Sequence, residues 1–360
     1  MTLLASLHRW TGGLVGFLLA VIGLSGTVLL WEGSWILLDG ASDAPDTDPE
    51  ALGRAVQTAL EISPDLSRIT FAGEEIGLHQ AIYAYGGGAY IAQDGTVVER
   101  WSGLWERPEL WLFDLHHYLL IGEAGKTVTG VLGVLLLVFT VTGMILWWRT
   151  RKTFRFRLWP ARFTRSAIVR HHRDLGLLAS PLLIIVAATG TLMVFPAISS
   201  ALLSPLAEAR AEPILPIVLV SADRKTDWLR VMVNAQSTYP GAHPRRLTMP
   251  AAPGEPVAIR FRQNFEWTPN GRSYVWIAQG TAAVIAKRDP ASGDRASAIV
   301  EKLYPIHAAK VGGIAWRVAM TFAGLALVLQ GTLASWSFWS AMIGKRPALD
   351  ASARSGRAAG

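Results

Sequence analysis

The sequence predicts an α-helical membrane protein: a four-transmembrane-helix bundle with two outer α+β domains, internally duplicated. Three observations predict it. Charged residues make up only 17% of a chain that is 51% hydrophobic, against roughly 25% charged in an average soluble domain. Four uncharged runs, Trp10 to Trp31, Thr127 to Trp148, Leu175 to Ala207 and Val318 to Gly344, each exceed the roughly 20 residues that span a bilayer. The motif H-R-x-x-G opens the first run at His8 and the third at His172, and a glycine follows each histidine by 18 residues, Gly26 and Gly190, as a repeated helix-domain-helix unit requires.

The N-terminus and first span occupy residues 1–38. The apolar run there is longer than the roughly 7 to 15 residues of a secretory signal, so it is read as a span. Residues 39–115 follow as a first outer domain with 14 acids and four arginines between residues 39 and 118. Its pattern predicts a helix over Glu50 to Ile62. Strands HQAIYAY and AYIAQ follow, separated by Gly86, Gly87 and Gly88, with Asp94-Gly95 as a further hairpin signal. The second span is placed at residues 116–148, with Gly122 and Gly125 offering a break near its outer end.

Residues 149–170 form a loop with eight basic residues and no acid, which the positive-inside rule places in the cytoplasm. The third span is placed at 171–207 and the second outer domain at 208–306. The latter carries a helix over Asp227 to Tyr239 and strands VAIRFRQ and SYVWIAQ flanking Thr268-Pro269-Asn270-Gly271. Residues 200–306 hold 13 basic residues against nine acids, so this domain is suited to an anionic ligand. The fourth span is placed at 307–344. A tail at 345–360 with Lys345, Arg346, Arg354 and Arg357 puts both termini in the cytoplasm. The pI near 9.9 therefore reports topology rather than nucleic-acid binding.

Six of the eight histidines, His8, His116, His117, His171, His172 and His307, stand at or just before a span. Topology sorts them into an inner layer (His8, His171, His172) and an outer layer (His116, His117, His307), each drawing on two helices. Facing imidazoles suit the axial positions of haem iron, and a helical bundle supplies the apolar walls. The alternative is that they are interfacial anchors, which the repetition between halves disfavours. With no cysteine, disulfides, iron-sulfur clusters and covalent haem attachment are excluded. Arg9 and Arg173 directly follow their histidines, while Lys126 and Arg317 each follow theirs by ten residues; these four are candidate propionate partners. His79 and His243 read as surface or turn residues.

The segments LHRWTGGLVG, LHHYLLIGEAGK, HHRDLG and IHAAKVGG, each leading into a span with a Thr-Gly or Gly-Thr pair, resemble the PepSY-associated transmembrane proteins. The family includes bacterial inner-membrane ferric-siderophore reductases. The resemblance covers nearly the whole chain. It implies two periplasmic PepSY-like α+β domains and two non-covalent, bis-histidine b-type haems. It selects His8, His116, His172 and His307 as axial ligands, with His117 and His171 as alternative ligands or as partners that hold the ligands in place. The implied activity is that of an oxidoreductase reducing a ferric siderophore in the periplasm, supplied by a cytoplasmic reductase or quinol donor. Arg245, Arg246, Arg260, Arg262, Trp267 and Trp105 are the candidate substrate contacts. Two other readings are a di-haem respiratory cytochrome serving another periplasmic acceptor and a non-enzymatic PepSY sensor or regulator. A nicotinamide or flavin fingerprint is not found in strand-turn-helix context.

Overall fold

The computed structural model describes residues 3–208, 226–252 and 254–343. The tail at 345–360 and the opening of the second outer domain at 209–225 lie outside the described residues. The chain divides into two compact units. The membrane-spanning helices are α1 (Leu3–Leu29), α5 (Gly122–Trp148), α6 (Arg165–Val194) and α10 (Gly313–Ile343), all long and apolar enough to cross a bilayer. Each begins earlier than its uncharged run, because helical hydrogen bonding continues into the polar flank while hydropathy does not. The third differs at its other end too. It stops at Val194, and Pro196 starts a separate helix α7 (Pro196–Leu203), since proline supplies no N–H and favours the first helical turn.

In the first unit, Leu19, Leu132, Leu136, Leu175, Ala179, Leu183, Ala323 and Leu327 form one apolar core. Helices α1 and α10 meet there backbone to backbone. A Cβ on Gly16 would lie 2.9 Å from the Gly331 carbonyl oxygen, one on Gly331 would strike the Gly16 carbonyl, and one on Gly23 would lie 3.1 Å from the Gly324 carbonyl. Small residues permit this approach, which is how helices in lipid gain packing energy without a hydrophobic drive.

The second unit is built on one antiparallel sheet. After the short α2 (Glu32–Trp35) and α3 (Pro49–Ile62) come β1 (Leu66–Thr70), β2 (His79–Tyr83), β3 (Gly88–Ile91) and β4 (Val97–Trp101), then α4 (Pro108–Tyr118). The second half follows the same order: α8 (Trp228–Thr238), β5 (His243–Thr248), β6 (Val257–Arg262), β7 (Ser273–Ile277), β8 (Val284–Arg288) and α9 (Arg295–His307). Aspartates cap α3 and α8: Asp48 accepts the Ala51 N–H and Asp227 the Arg230 N–H. The strands form a single eight-stranded sheet in the order β4-β3-β2-β1-β5-β6-β7-β8. The two outer segments, read separately from the sequence, thus share a sheet through β1 and β5.

Alternation explains its two faces. Ile69, Ala81, Leu247, Ile259, Phe261, Val275 and Ile277 point to one side and are buried with Leu52, Val56, Val231 and Met232 of α3 and α8. On the other side, beside β2 to β4, Ile36, Leu78, Tyr90 and Trp101 make a smaller cluster.

His79 departs from its surface assignment. It is only 1% exposed, and its Nδ1 accepts the backbone N–H of Ala72 at 3.0 Å. Burial lowers its pKa to about 4, with Asp46 opposing. His243 is exposed as expected.

Two tests follow from this packing. The His79 imidazole is held neutral in the fold but takes up a proton near pH 6.5 when unfolded, so the stability it contributes is present above that pH. It is lost progressively as pH falls from about 6.5 to about 4. Thermal unfolding followed by tryptophan fluorescence should show this loss, and His79→Asn should flatten it; an unchanged pH slope would refute the assignment. Gly331→Val should destabilise the chain by about 1–3 kcal/mol through overpacking. Gly12→Ala, where an added Cβ meets nothing within 4 Å, should leave the melting temperature nearly unchanged.

Candidate functional site

In the first unit, His8 on α1 and His172 on α6 face one another with ring centroids 6.3 Å apart and planes at 79°. The His8 Nδ1 lies 2.9 Å from the Thr142 hydroxyl of α5. That hydroxyl donates its own proton to the Val138 carbonyl at 2.7 Å, so towards the imidazole it can only accept. The His8 proton is therefore fixed on Nδ1, which leaves the Nε2 lone pair available to a metal. Phe139 packs edge-on against the same ring at 5.5 Å. Gly143 follows Thr142, and a Cβ there would stand 3.7 Å from the His8 Cε1.

In the second unit, His116 and His307 form a matching pair, centroids 6.2 Å apart and planes at 50°. Here Thr189 Oγ1 is 3.0 Å from the His307 Nδ1. A Cβ on the adjacent Gly190 would crowd the His307 Cε1 at 3.1 Å. Thr142-Gly143 and Thr189-Gly190 thus act alike: the hydroxyl meets the ring nitrogen and the glycine leaves room for the ring. Sequence reading registered Thr-Gly pairs without this role; their recurrence was the available signal.

Both histidines of this second pair sit on short helices separate from the spans. His116 is in the last turn of α4, and His307 ends α9. Left-handed residues Leu119 and Leu120 precede α5, and Ala309 and Gly312 precede α10. The expected continuous helices at 116–148 and 307–344 are therefore each broken, the former just ahead of Gly122.

The remaining histidines are engaged elsewhere. His117 stacks on Phe113 at 3.9 Å, and its Nδ1 lies 3.0 Å from the Phe113 carbonyl. Burial lowers the His117 pKa, while that carbonyl and Asp114 act in the other direction. His171 places Nε2 3.0 Å from the Leu158 carbonyl. Of the four cations proposed beside the histidines, Arg9 is exposed. Arg173 grips Asp174 through Nε and Nη2 at 2.7 and 3.0 Å and also contacts Thr153. Lys126 pairs with Glu123 at 3.1 Å. Arg317 pairs with Glu75 at 3.2 Å and covers Trp31. Lys310, in the IHAAK segment, also pairs with Glu75, a contact the sequence did not announce.

The sheet orders the arginines of the second unit. Directly paired residues point to the same face, and the ladder runs Thr70 to Arg246, Arg246 to Arg260, and Arg260 to Tyr274, which pairs in turn with Arg288. Arg262, two residues beyond Arg260, shares the face and pairs with Glu74 at 3.5 Å. The guanidinium groups of Arg260 and Arg288 lie 5.1 and 4.5 Å from the Tyr274 ring centre. Arg246 donates to the Thr70 hydroxyl at 3.2 Å. Its pKa is lowered to about 10, by burial first and then by Arg260 and Arg68. Arginines set directly opposite each other repel, so the face is arranged for negative charge.

Arg245 stands at the β5 bulge and bonds the Ala72 carbonyl at 2.9 Å. Trp267 lies under Lys302, and Trp105 stacks on Trp111; neither belongs to the arginine row. Arg288 was missed, because only strand register reveals it. Tyr304, three residues before His307 on α9, lies within electrostatic range of both Arg246 and Glu75.

No curated protein matches this chain. The model of a family described as the PepSY-associated TM region matches residues 5–340. That match takes in all four spans, the sheet and both histidine pairs, and the chain therefore belongs to the PepSY-associated transmembrane family.

Proposed function

We propose that this protein is a haem-containing oxidoreductase of the bacterial inner membrane that passes electrons across the bilayer to reduce ferric siderophores and release Fe(II). The spacing of the two histidine pairs carries this reading. Two imidazoles sharing one metal, each bonded at about 2 Å, have ring centroids roughly 6 Å apart, and both pairs meet that spacing. Among the described residues no group of three His, Asp or Glu side chains could hold a metal, and two imidazoles would leave the four remaining positions of an iron to a macrocycle.

His8 and His172 would hold the inner b-type haem and His116 and His307 the outer one, non-covalently. When bound, the haem supplies a reversible one-electron couple. Thr142 and Thr189 orient the ligand rings, and Gly143 and Gly190 keep their flanks open. Arg9 and the cations around Glu75 would serve as propionate partners; Arg173 anchors the loop through Asp174 and Thr153. The electron donor is a cytoplasmic reductase or a quinol.

In this reading the basic loop and both termini are cytoplasmic, the sheet is periplasmic, and the two halves descend from a duplication. The repeated order of helix, four strands, helix and span supports the last point. The ferric chelate docks on the arginine face, where Arg246 and Arg260 attract its negative charge. One electron per iron converts Fe(III) to Fe(II), which hard oxygen donors hold far less well.

Pyridine haemochrome analysis of purified protein should give two haems per chain. His8→Ala or His172→Ala should lose one, and His116→Ala or His307→Ala the other; full haem in all four variants would overturn the assignment. The Arg246→Gln/Arg260→Gln variant should raise KM for an anionic ferric chelate roughly ten-fold, equivalent to about 1.4 kcal/mol, with haem content and kcat nearly unchanged. Failure of any ferric chelate to reoxidise dithionite-reduced protein would instead favour a respiratory acceptor.

A further inference from the structure

A cavity of about 670 Å³ opens among residues 152–174, within the first unit. Its volume lies in the range of small-ligand sites, roughly 300 to 1,000 Å³. Lys152, Arg155, Arg157, Arg162 and Arg170 line it, five cations around one hollow. The sole acid in the lining, Asp174, is already engaged by the Arg173 guanidinium and by the Arg155 backbone N–H at 3.1 Å.

His171 gives a second, independent indication. It lines the cavity and is only 5% exposed. Its Nε2 is bonded to the Leu158 carbonyl, yet its buried Nδ1 has no hydrogen-bond partner. A buried polar atom left unpaired beside a ring of cations is the expected mark of a site completed by a polar ligand.

We propose that this cavity binds a phosphate-bearing ligand. Guanidinium groups match phosphate oxygens in pairs of hydrogen bonds, and concave walls strengthen the attraction by focusing the field. The His171 Nδ1, an acceptor because the Nε2–H donates to the Leu158 carbonyl, then accepts a hydrogen bond from a hydroxyl of the same ligand. Two sources offer this chemistry: the headgroup of an anionic phospholipid, which basic pockets at membrane surfaces accept, and a soluble nucleotide such as flavin mononucleotide. His171 adjoins His172 in the chain, so either ligand would lie against the segment that contributes to the inner histidine pair. The proposal does not depend on haem binding.

The test uses the full chain, delipidated in detergent, and isothermal titration calorimetry. One arm titrates cardiolipin in mixed micelles against a phosphatidylcholine control, and the other titrates flavin mononucleotide. Binding in either arm is expected to weaken at least ten-fold in Arg155→Gln/Arg162→Gln, both exposed positions that folding tolerates. Arg149→Gln/Arg165→Gln, basic residues outside the cavity lining, should leave it unchanged. Cardiolipin binding alone identifies the lipid source, and nucleotide binding alone the soluble one. The proposal falls if neither ligand binds above the control, or if both double variants weaken binding equally.

Discussion

Strands β1 and β5 pair antiparallel over Arg68 to Thr70 and Arg246 to Thr248, and the second unit depends on that short ladder. It joins two four-stranded segments, separated in sequence by two spans, into one sheet. With the sheet continuous, α3 and α8 share a single core above it. The chain leaving each end of the sheet then enters a short helix, and these two helices, α4 and α9, bring His116 and His307 together. The same ladder sets Thr70, Arg246 and Arg260 in one row. A slip of one residue would turn the arginines into the apolar core.

Charge in this unit is organised around few carboxylates. Glu75 takes two cations, Lys310 and Arg317, that flank the α9–α10 connection. Glu109, 2% exposed, is held by Arg107 at 2.8 Å and by the Tyr90 hydroxyl at 3.1 Å. Glu32 has its pKa raised to about 7, by burial first and with Glu109 and Glu75 adding to it against Lys310. Arg246, by contrast, has arginines and tyrosines as its charged neighbours. Negative charge is therefore gathered near the α9–α10 connection, while the centre of the arginine row at Arg246 is flanked by Arg260 and Arg68.

The sequence made the spans legible because crossing a bilayer demands a long uncharged run, and that demand is local. It also made the histidine layers legible, since helix order and loop charge sort His8 with His171 and His172, and His116 and His117 with His307; the family resemblance singled out His172 and His116. Four features escaped for physical reasons. Thr142 meets a histidine 134 positions away, and no local pattern encodes that. His79 sits in an alternating strand whose buried face includes a polar residue, so its type suggested exposure while its register dictated burial. The arginine row and the cavity at 152–174 depend on cross-strand register and loop packing. The loop's eight basic residues were read for topology, which masked the concavity five of them form.

Each paired feature combines equivalent positions of the two halves: His8 with His172, His116 with His307, and Ile69 of β1 with Leu247 of β5. A chain holding one half alone would end in an unpaired strand edge, a template for aggregation, and would carry half of each histidine pair. The arrangement that meets both needs is a second identical copy across a twofold axis. The chain thus supplies within itself the pairing for which a homodimer would need two copies. Its two halves differ in charge, one outer segment acidic and the other rich in arginine, an asymmetry that identical subunits could not carry.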